Sequence, residues 1–155
     1  METLQPLRSV GMRYTPLTKK ALAICFDAHK DQRDKSGAPY VFHPFHLAEQ
    51  LESESEICVA LLHDVVEDTV YTIDDLRTAG FPEEILEAIT LMTHDEAEPY
   101  MDYVARIREN PIARRVKLAD LTHNSMLERL DAPTPQDHAR REKYLAAIVL
   151  LQQES

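Results

Sequence analysis

Glycine is scarce in this chain, with three in 155 residues, and runs of alternating polarity are few. That shortage removes most of the turn chemistry that hairpins require, so a sheet fold is disfavoured. It also excludes a phosphate-binding glycine loop, because Gly11, Gly37 and Gly80 cannot form its spacing. Cysteine is limited to Cys25 and Cys58, each inside an apolar helical pattern, which reads as two buried reduced thiols without a function. Long apolar runs are missing too. Stretches such as Ala146 to Leu151 are far too short to span a bilayer, and the N-terminus lacks the charged-then-apolar order of a signal peptide, so the expected compartment is the cytoplasm. Positive charge is in deficit, with 17 Lys and Arg against 27 Asp and Glu and a formal net charge of -10. Nonspecific binding to DNA or RNA, which depends on Lys and Arg neutralising phosphates, is therefore not expected. A small phosphorylated ligand stays compatible, since a divalent cation and a few local Lys or Arg can reverse the potential inside one cleft.

What the chain does contain is Ala, Leu, Glu, Lys and Arg, the residues of helices. A chain of this length buries roughly 70% of its unfolded surface, enough for one domain with a core and too little for a second catalytic domain. The fold class expected is all-α, a single compact helical bundle, with residues 1–14 as a loosely held arm and 15–155 as the domain. Thr15-Pro16, Asn110-Pro111 and Thr134-Pro135 each set a capping side chain before a proline suited to the first helical position. Pro82 and Pro99 are read the same way with weaker caps, and Thr72 with Asp75 as another capped start. These signals predict helices near 16–30, 43–51, 55–67, 73–79, 82–92, 99–108, 111–129 and 135–152, with a loop from Asp31 to Val41. Met92, Met101 and Met126 read as core.

The informative stretch is Leu61-Leu62-His63-Asp64-Val65-Val66-Glu67-Asp68. On a helix its four ionisable groups share one broad face, although the segment is otherwise apolar from Ile57 through Val66. Burying such groups without a compensating cation is expensive. A helix end reaching solvent, with Glu67 and Asp68 simply hydrated, accounts for this segment equally well when it is taken alone. Elsewhere, Lys117, Asp120 and Asn124 fall at i, i+3 and i+7 on one stripe, and His43 opens His43-Pro44-Phe45-His46. His43, His63, Asp64 and Asp120, drawn from three helices, could close a site around one ion. Two imidazoles and two carboxylates suit a borderline-to-hard divalent cation with room for water, Mn²⁺ or Fe²⁺ better than a closed Zn²⁺ site. Such an ion acidifies water and polarises a phosphoryl oxygen. Glu67 and Asp68, one turn beyond, are placed to take the water's proton.

At these residues a resemblance becomes specific. The order His43, His63-Asp64, Asp120 resembles the signature of the HD phosphohydrolase superfamily. The surrounding text resembles the hydrolase domain of the alarmone-regulating RelA/SpoT family and its stand-alone small hydrolases: Lys35-Ser36-Gly37-Ala38-Pro39-Tyr40-Val41-Phe42-His43-Pro44, Ala60 to Thr69, Val116 to Asp120, and His123-Asn124. It covers roughly residues 17 to 130. The resemblance implies an all-α HD-domain bundle, Mn²⁺, and removal of the 3′-pyrophosphate from guanosine 3′,5′-bis(diphosphate) or its pentaphosphate. It implies His43, His63, Asp64 and Asp120 as metal ligands, Glu67 and Asp68 as the water-activating pair, and Lys35, Ser36 and Asn124 as substrate contacts. The pattern is broken at Asp34, where the family has Arg, at Leu121, where it has Arg, and at Leu127, where it often has Thr.

The other histidines are read as bystanders. His94-Asp95 repeats the key dipeptide but enters a polar stretch and reads as a solvated helix end; His29, His46 and His123 read as packed or hydrogen-bonded, with His46 a candidate for support behind the ligands; His138 reads as surface. Arg140, Arg141, Lys143 and Tyr144 read as a solvated face, with a phosphate clamp as the minority option. The partner expected is a small-molecule nucleotide, with no nucleic-acid polymer and no membrane; a homo-oligomer is compatible. Because of Asp34, a different nucleotide or phosphate ester such as NADPH is the alternative substrate. A non-catalytic nucleotide-binding domain is the third reading, against which Glu67-Asp68 weighs.

Overall fold

Thr15, Thr72 and Thr134 each accept from the backbone N–H three residues on, and the residue there returns a bond to the threonine's own N–H. These reciprocal caps satisfy two donors that a helix start otherwise leaves orphaned, and they fix where three helices begin. The computed structural model describes residues 12–153. In chain order it contains α1 Pro16–His29, α2 Phe42–Glu49, α3 Glu54–Asp68, α4 Ile73–Thr78, α5 Glu83–Met92, α6 Tyr100–Ile107, α7 Pro111–Asn124, a 3₁₀ turn Leu127–Arg129 and α8 Pro135–Gln152. Among the described residues no strand forms; the one bridge, Arg33 with Pro39, pinches the loop between α1 and α2. Gly37 in that loop has φ 87, a conformation that side chains with a Cβ rarely adopt.

The bundle is organised around α3, which packs against α1, α2, α5 and α7. Every residue from Ile57 to Val65 is buried, so this helix is covered on all sides rather than along one stripe. His63 and Asp64 consequently sit inside the protein, at 3% and 8% exposure. Across the bundle, α8 closes over α6 and α7, and the 3₁₀ turn rests against it.

Three expectations change. α7 was predicted to reach 129 and ends at Asn124, because Ser125 closes it: its N–H bonds Leu121 O and its hydroxyl bonds Thr122 O. Leu127 and Leu130 keep helical spacing in the sequence, yet they turn to line a cavity instead. Pro82 and Pro99 stand at the cap positions themselves, one residue before the first helical one, with no side-chain cap. Met101 and Met126 are exposed, at 39% and 36%, and only Met92 joins the core. The arm predicted for 1–14 lies outside the described residues as far as residue 11; within it, Met12 is buried and Arg13 donates to Glu52 O at 3.3 Å. Both cysteines are buried free thiols.

Candidate functional site

Three helices deliver the four candidate ligands to one buried place. From α2, His43 directs Nε2 to Asp120 Oδ1 at 2.7 Å and Nδ1 to His123 Nδ1 at 2.6 Å. From α3, His63 directs Nδ1 to the carbonyl of Ala60 at 2.8 Å, so this nitrogen carries the proton and donates. Its Nε2 is buried with no hydrogen-bond partner and lies 3.3 Å from Asp64 Oδ1 and 3.9 Å from Asp120 Oδ1. From α7, Asp120 receives Lys117 Nζ at 3.1 Å and Asn124 Nδ2 at 3.2 Å. The Tyr40 hydroxyl donates to Asp64 Oδ2.

The charges explain one another. Burial favours neutral His63, but Asp64 and Asp120 outweigh it and raise the imidazole to about 9. Burial likewise raises the Asp120 carboxyl, and Lys117, the bond from His43 and the nearby His63 imidazole overrule it, holding the group well below the usual carboxylate range. A buried imidazole nitrogen aimed at two carboxylates calls for positive charge between them, as a proton or as a cation. Among the described residues no group of three or more His, Cys, Asp or Glu stands already spread at ligand distances around a point. The donor chemistry nonetheless fits a divalent ion: two carboxylates and two imidazole nitrogens, one of them the orphaned His63 Nε2.

Glu67 and Asp68 sit at the solvent edge of the same helix. Burial of their inner sides raises both carboxyls, with Asp64 adding to the effect at each. Glu67 Oε1 accepts from the backbone N–H of His94 at 3.2 Å. His94 was expected to be a solvated helix end; instead it is part-buried, bonds Glu98 O at 3.0 Å through Nε2, and packs on Tyr103. The signal for this lay in the tertiary fold, not in the dipeptide.

Two cavities flank the centre. The first, about 270 Å³, is bounded by Lys35, Ser36, His43, Asn124, Arg129 and Tyr144 among others. The second, about 260 Å³, is bounded by Glu67, His94, Lys117, Asp120, Lys143 and Tyr144 among others. Thus Lys35 and Ser36 share the first cavity with His43, and Asn124 borders both that cavity and the second, which Asp120 lines. Asp34 turns its carboxylate into its own loop, Oδ1 accepting from Ser36 N at 2.9 Å, Ser36 Oγ at 2.6 Å and Ala38 N at 3.0 Å. The helical face read as solvated is divided: Arg140, Lys143 and Tyr144 line the cavities, while Arg141 ties α8 to Ser125 O. His46 packs tilted against His123 with centroids 4.6 Å apart, His29 is buried against Gln32, and His138 is exposed.

No family model matches the sequence. Curated relatives do. The chain is 34% identical over 136 residues to a probable guanosine-3′,5′-bis(diphosphate) 3′-pyrophosphohydrolase of Synechocystis sp., a match covering 78% of this chain and 18% of that protein. It is 36% identical over 115 residues to a guanosine-3′,5′-bis(diphosphate) 3′-pyrophosphohydrolase of Haemophilus influenzae, covering 65% and 17%. It is 29% identical over 157 residues to a probable GTP pyrophosphokinase of Mycobacterium leprae, covering 90% and 20%. The chain thus spans about a fifth of the length of these relatives. Among solved structures, it superposes on a metazoan orthologue of SpoT, described as hydrolysing ppGpp, with TM-score 0.71 and 23% identity over 92% of this chain and 89% of that one. That likeness establishes the all-helical fold.

Proposed function

We propose, on the premise that this chain belongs among the RelA/SpoT homologues with the HD-type hydrolase fold, that it is a metal-dependent pyrophosphohydrolase acting on guanosine 3′,5′-bis(diphosphate) or its pentaphosphate. The observation that carries the reading is the meeting of His43, His63, Asp64 and Asp120 from three helices, with His63 Nε2 buried and unbonded between carboxylates. These four would hold a divalent cation, Mn²⁺ by our reading, supplying Lewis acidity toward a phosphoryl oxygen and acidity to a water.

This chain's own groups do the rest. Glu67, tethered by the His94 N–H and raised by burial, takes the proton of the attacking water as its oxygen bonds to phosphorus. Asp68 shares that edge and orients the water. The bond from phosphorus to O3′ breaks, O3′ takes up a proton from solvent while Glu67 returns its own to solvent, and pyrophosphate leaves toward Lys117 and Lys143 in the second cavity. The nucleoside occupies the first cavity, with Lys35, Ser36 and Asn124 as contacts. Two free buried thiols suit a reducing compartment, and we assign the protein to the cytoplasm.

A second substrate, another nucleotide or phosphate ester such as NADPH, is favoured by one observation, the carboxylate at position 34 on the wall of the first cavity. The test is turnover by the full chain with Mn²⁺ on a panel of the guanosine tetraphosphate, its pentaphosphate, NADPH and common nucleotides, with Asp64→Ala as control. Pyrophosphate release from the guanosine compounds by wild type alone is the expected result. Equal background rates for wild type and Asp64→Ala on every compound would remove the enzyme reading, and release from NADPH alone would transfer it to the second substrate.

A further inference from the structure

Arg129 is a partly buried cation in the first cavity whose hydrogen-bonding capacity is unused. Its Nε is buried without a partner, and among the described residues its guanidinium makes no hydrogen bond. Among the described residues its one ion-pair partner is Asp34, with Nη1 3.8 Å from Oδ2, close enough for attraction and too long for a hydrogen bond. Asp34 cannot come closer without giving up the three bonds that hold Oδ1 in the loop. Those bonds and Arg129 keep the carboxyl below its ordinary range despite burial, so the pair carries one charge of each sign. Met126, Leu127 and Leu130 line the cavity beside the guanidinium.

This arrangement discriminates between ligands. A phosphate reaching Arg129 would also approach the fixed carboxylate of Asp34, whose repulsion offsets much of the attraction of the guanidinium 3.8 Å away. Lys143 in the second cavity, which lies over the Tyr100 ring and has no ion pair among the described residues, offers phosphate a better place. A neutral group with two adjacent acceptors meets no such penalty, and the planar fork of a guanidinium matches it. In nucleotides that group is the O6 and N7 edge of guanine; adenine presents an amino donor where O6 would be, which the donor-only fork cannot satisfy.

We infer that Arg129 is a specificity-determining residue that reads the acceptor edge of guanine in the first cavity, while Asp34 anchors and neutralises its guanidinium. The inference rests on the nucleotide-hydrolase reading and adds to it the residue that chooses the base.

The test is calorimetric binding of guanosine 5′-diphosphate and adenosine 5′-diphosphate to the full, metal-loaded chain. A good bidentate contact discriminates by about tenfold or more, so wild type is expected to favour the guanosine compound by at least that ratio. Arg129→Leu should bring the ratio to within about threefold, and Arg129→Lys, which keeps the charge and loses the fork, should do the same even where Leu disturbs the 3₁₀ turn. An unchanged ratio, an equal loss of both affinities, or a ratio retained by Lys would each overturn it. Wild type binding neither diphosphate sinks this inference along with the nucleotide reading. A guanine preference lost in both variants of a protein that turns over no guanosine compound sustains this inference and removes only the activity.

Discussion

His63 illustrates how a single side chain can be tied to its surroundings from both ends. Nδ1–H donates to Ala60 O, which leaves Nε2 facing Asp64 and Asp120, and the two carboxylates lift the imidazole to about 9. Without metal the group is therefore protonated at pH 7, since 7 lies below the folded value, and a cation entering there must expel that proton. Binding of Mn²⁺ at pH 7 should release about one proton, and affinity should climb with pH until it passes about 9. Calorimetry in buffers of different ionisation enthalpy measures the release; no buffer dependence would mean His63 is not a ligand. His123 acts one step further out. Burial, with the neighbouring His43 next in weight, lowers its pKa to about 4, so it is neutral and can accept the Nδ1–H of His43 at 2.6 Å. A partner of this kind fixes the ring and tautomer of a ligating histidine. His123→Leu should weaken metal binding about 10- to 100-fold, and His123→Gln, which keeps an acceptor, should restore much of it. Equal losses in both variants would assign His123 to packing alone.

The segment between α5 and α6 holds Glu67 in place, and Arg106 on α6 holds that segment. The Arg106 guanidinium bonds Leu91 O at 2.6 Å, Thr93 O at 3.1 Å and the Glu98 carboxylate at 3.0 Å, while His94 within the loop donates its N–H to Glu67. Arg106 and Glu98 are about a third and a quarter exposed, so solvent screens part of their attraction. Arg106→Leu should cost about 1–3 kcal/mol of stability, largely by leaving carbonyls unbonded. It should also lower kcat and leave metal affinity unchanged; thermal unfolding, turnover and metal titration separate these effects, and an unaltered kcat would detach the loop from Glu67. None of this was legible beforehand. His94-Asp95 reads as a solvated helix end because its role depends on α5 packing on α3 and α6 packing on α5, long-range contacts that local patterning cannot report. The helix starts were legible because caps are local: Thr15, Thr72 and Thr134 act within three residues. The end of α7 was not, since Ser125 and the cavity beyond it override a spacing at Leu127 and Leu130 that still looks helical. His43, His63, Asp64 and Asp120 stood out in the sequence through the oddity of charge in apolar helices, whereas Tyr40 and Arg129 carried no such mark.

At the scale of the molecule, the site and the core are one object. α3 runs through the middle of the bundle with residues 57 to 65 all buried, and the candidate ligands come from it and from two helices packed on it, α2 and α7. Stability and metal affinity should therefore be linked. In the metal-free protein Asp120, buried and held far below its ordinary range by Lys117 and the bond from His43, contributes stability above its unfolded value that is lost as pH falls through the folded one. His63 works in the opposite sense, contributing below its ordinary value and losing that contribution as pH rises through about 9. A cation that binds only the folded chain replaces the proton of His63 and adds about 2.7 kcal/mol at a hundred times its Kd. Saturating Mn²⁺ should raise Tm by several degrees, and a chelator should reverse the rise. Asp64→Ala should abolish the shift, while Leu62→Ala, which empties space on the same helix at a cost of about 2–5 kcal/mol, should lower Tm and keep the shift intact. If Asp64→Ala retained the full shift, the ion would be bound elsewhere on the protein.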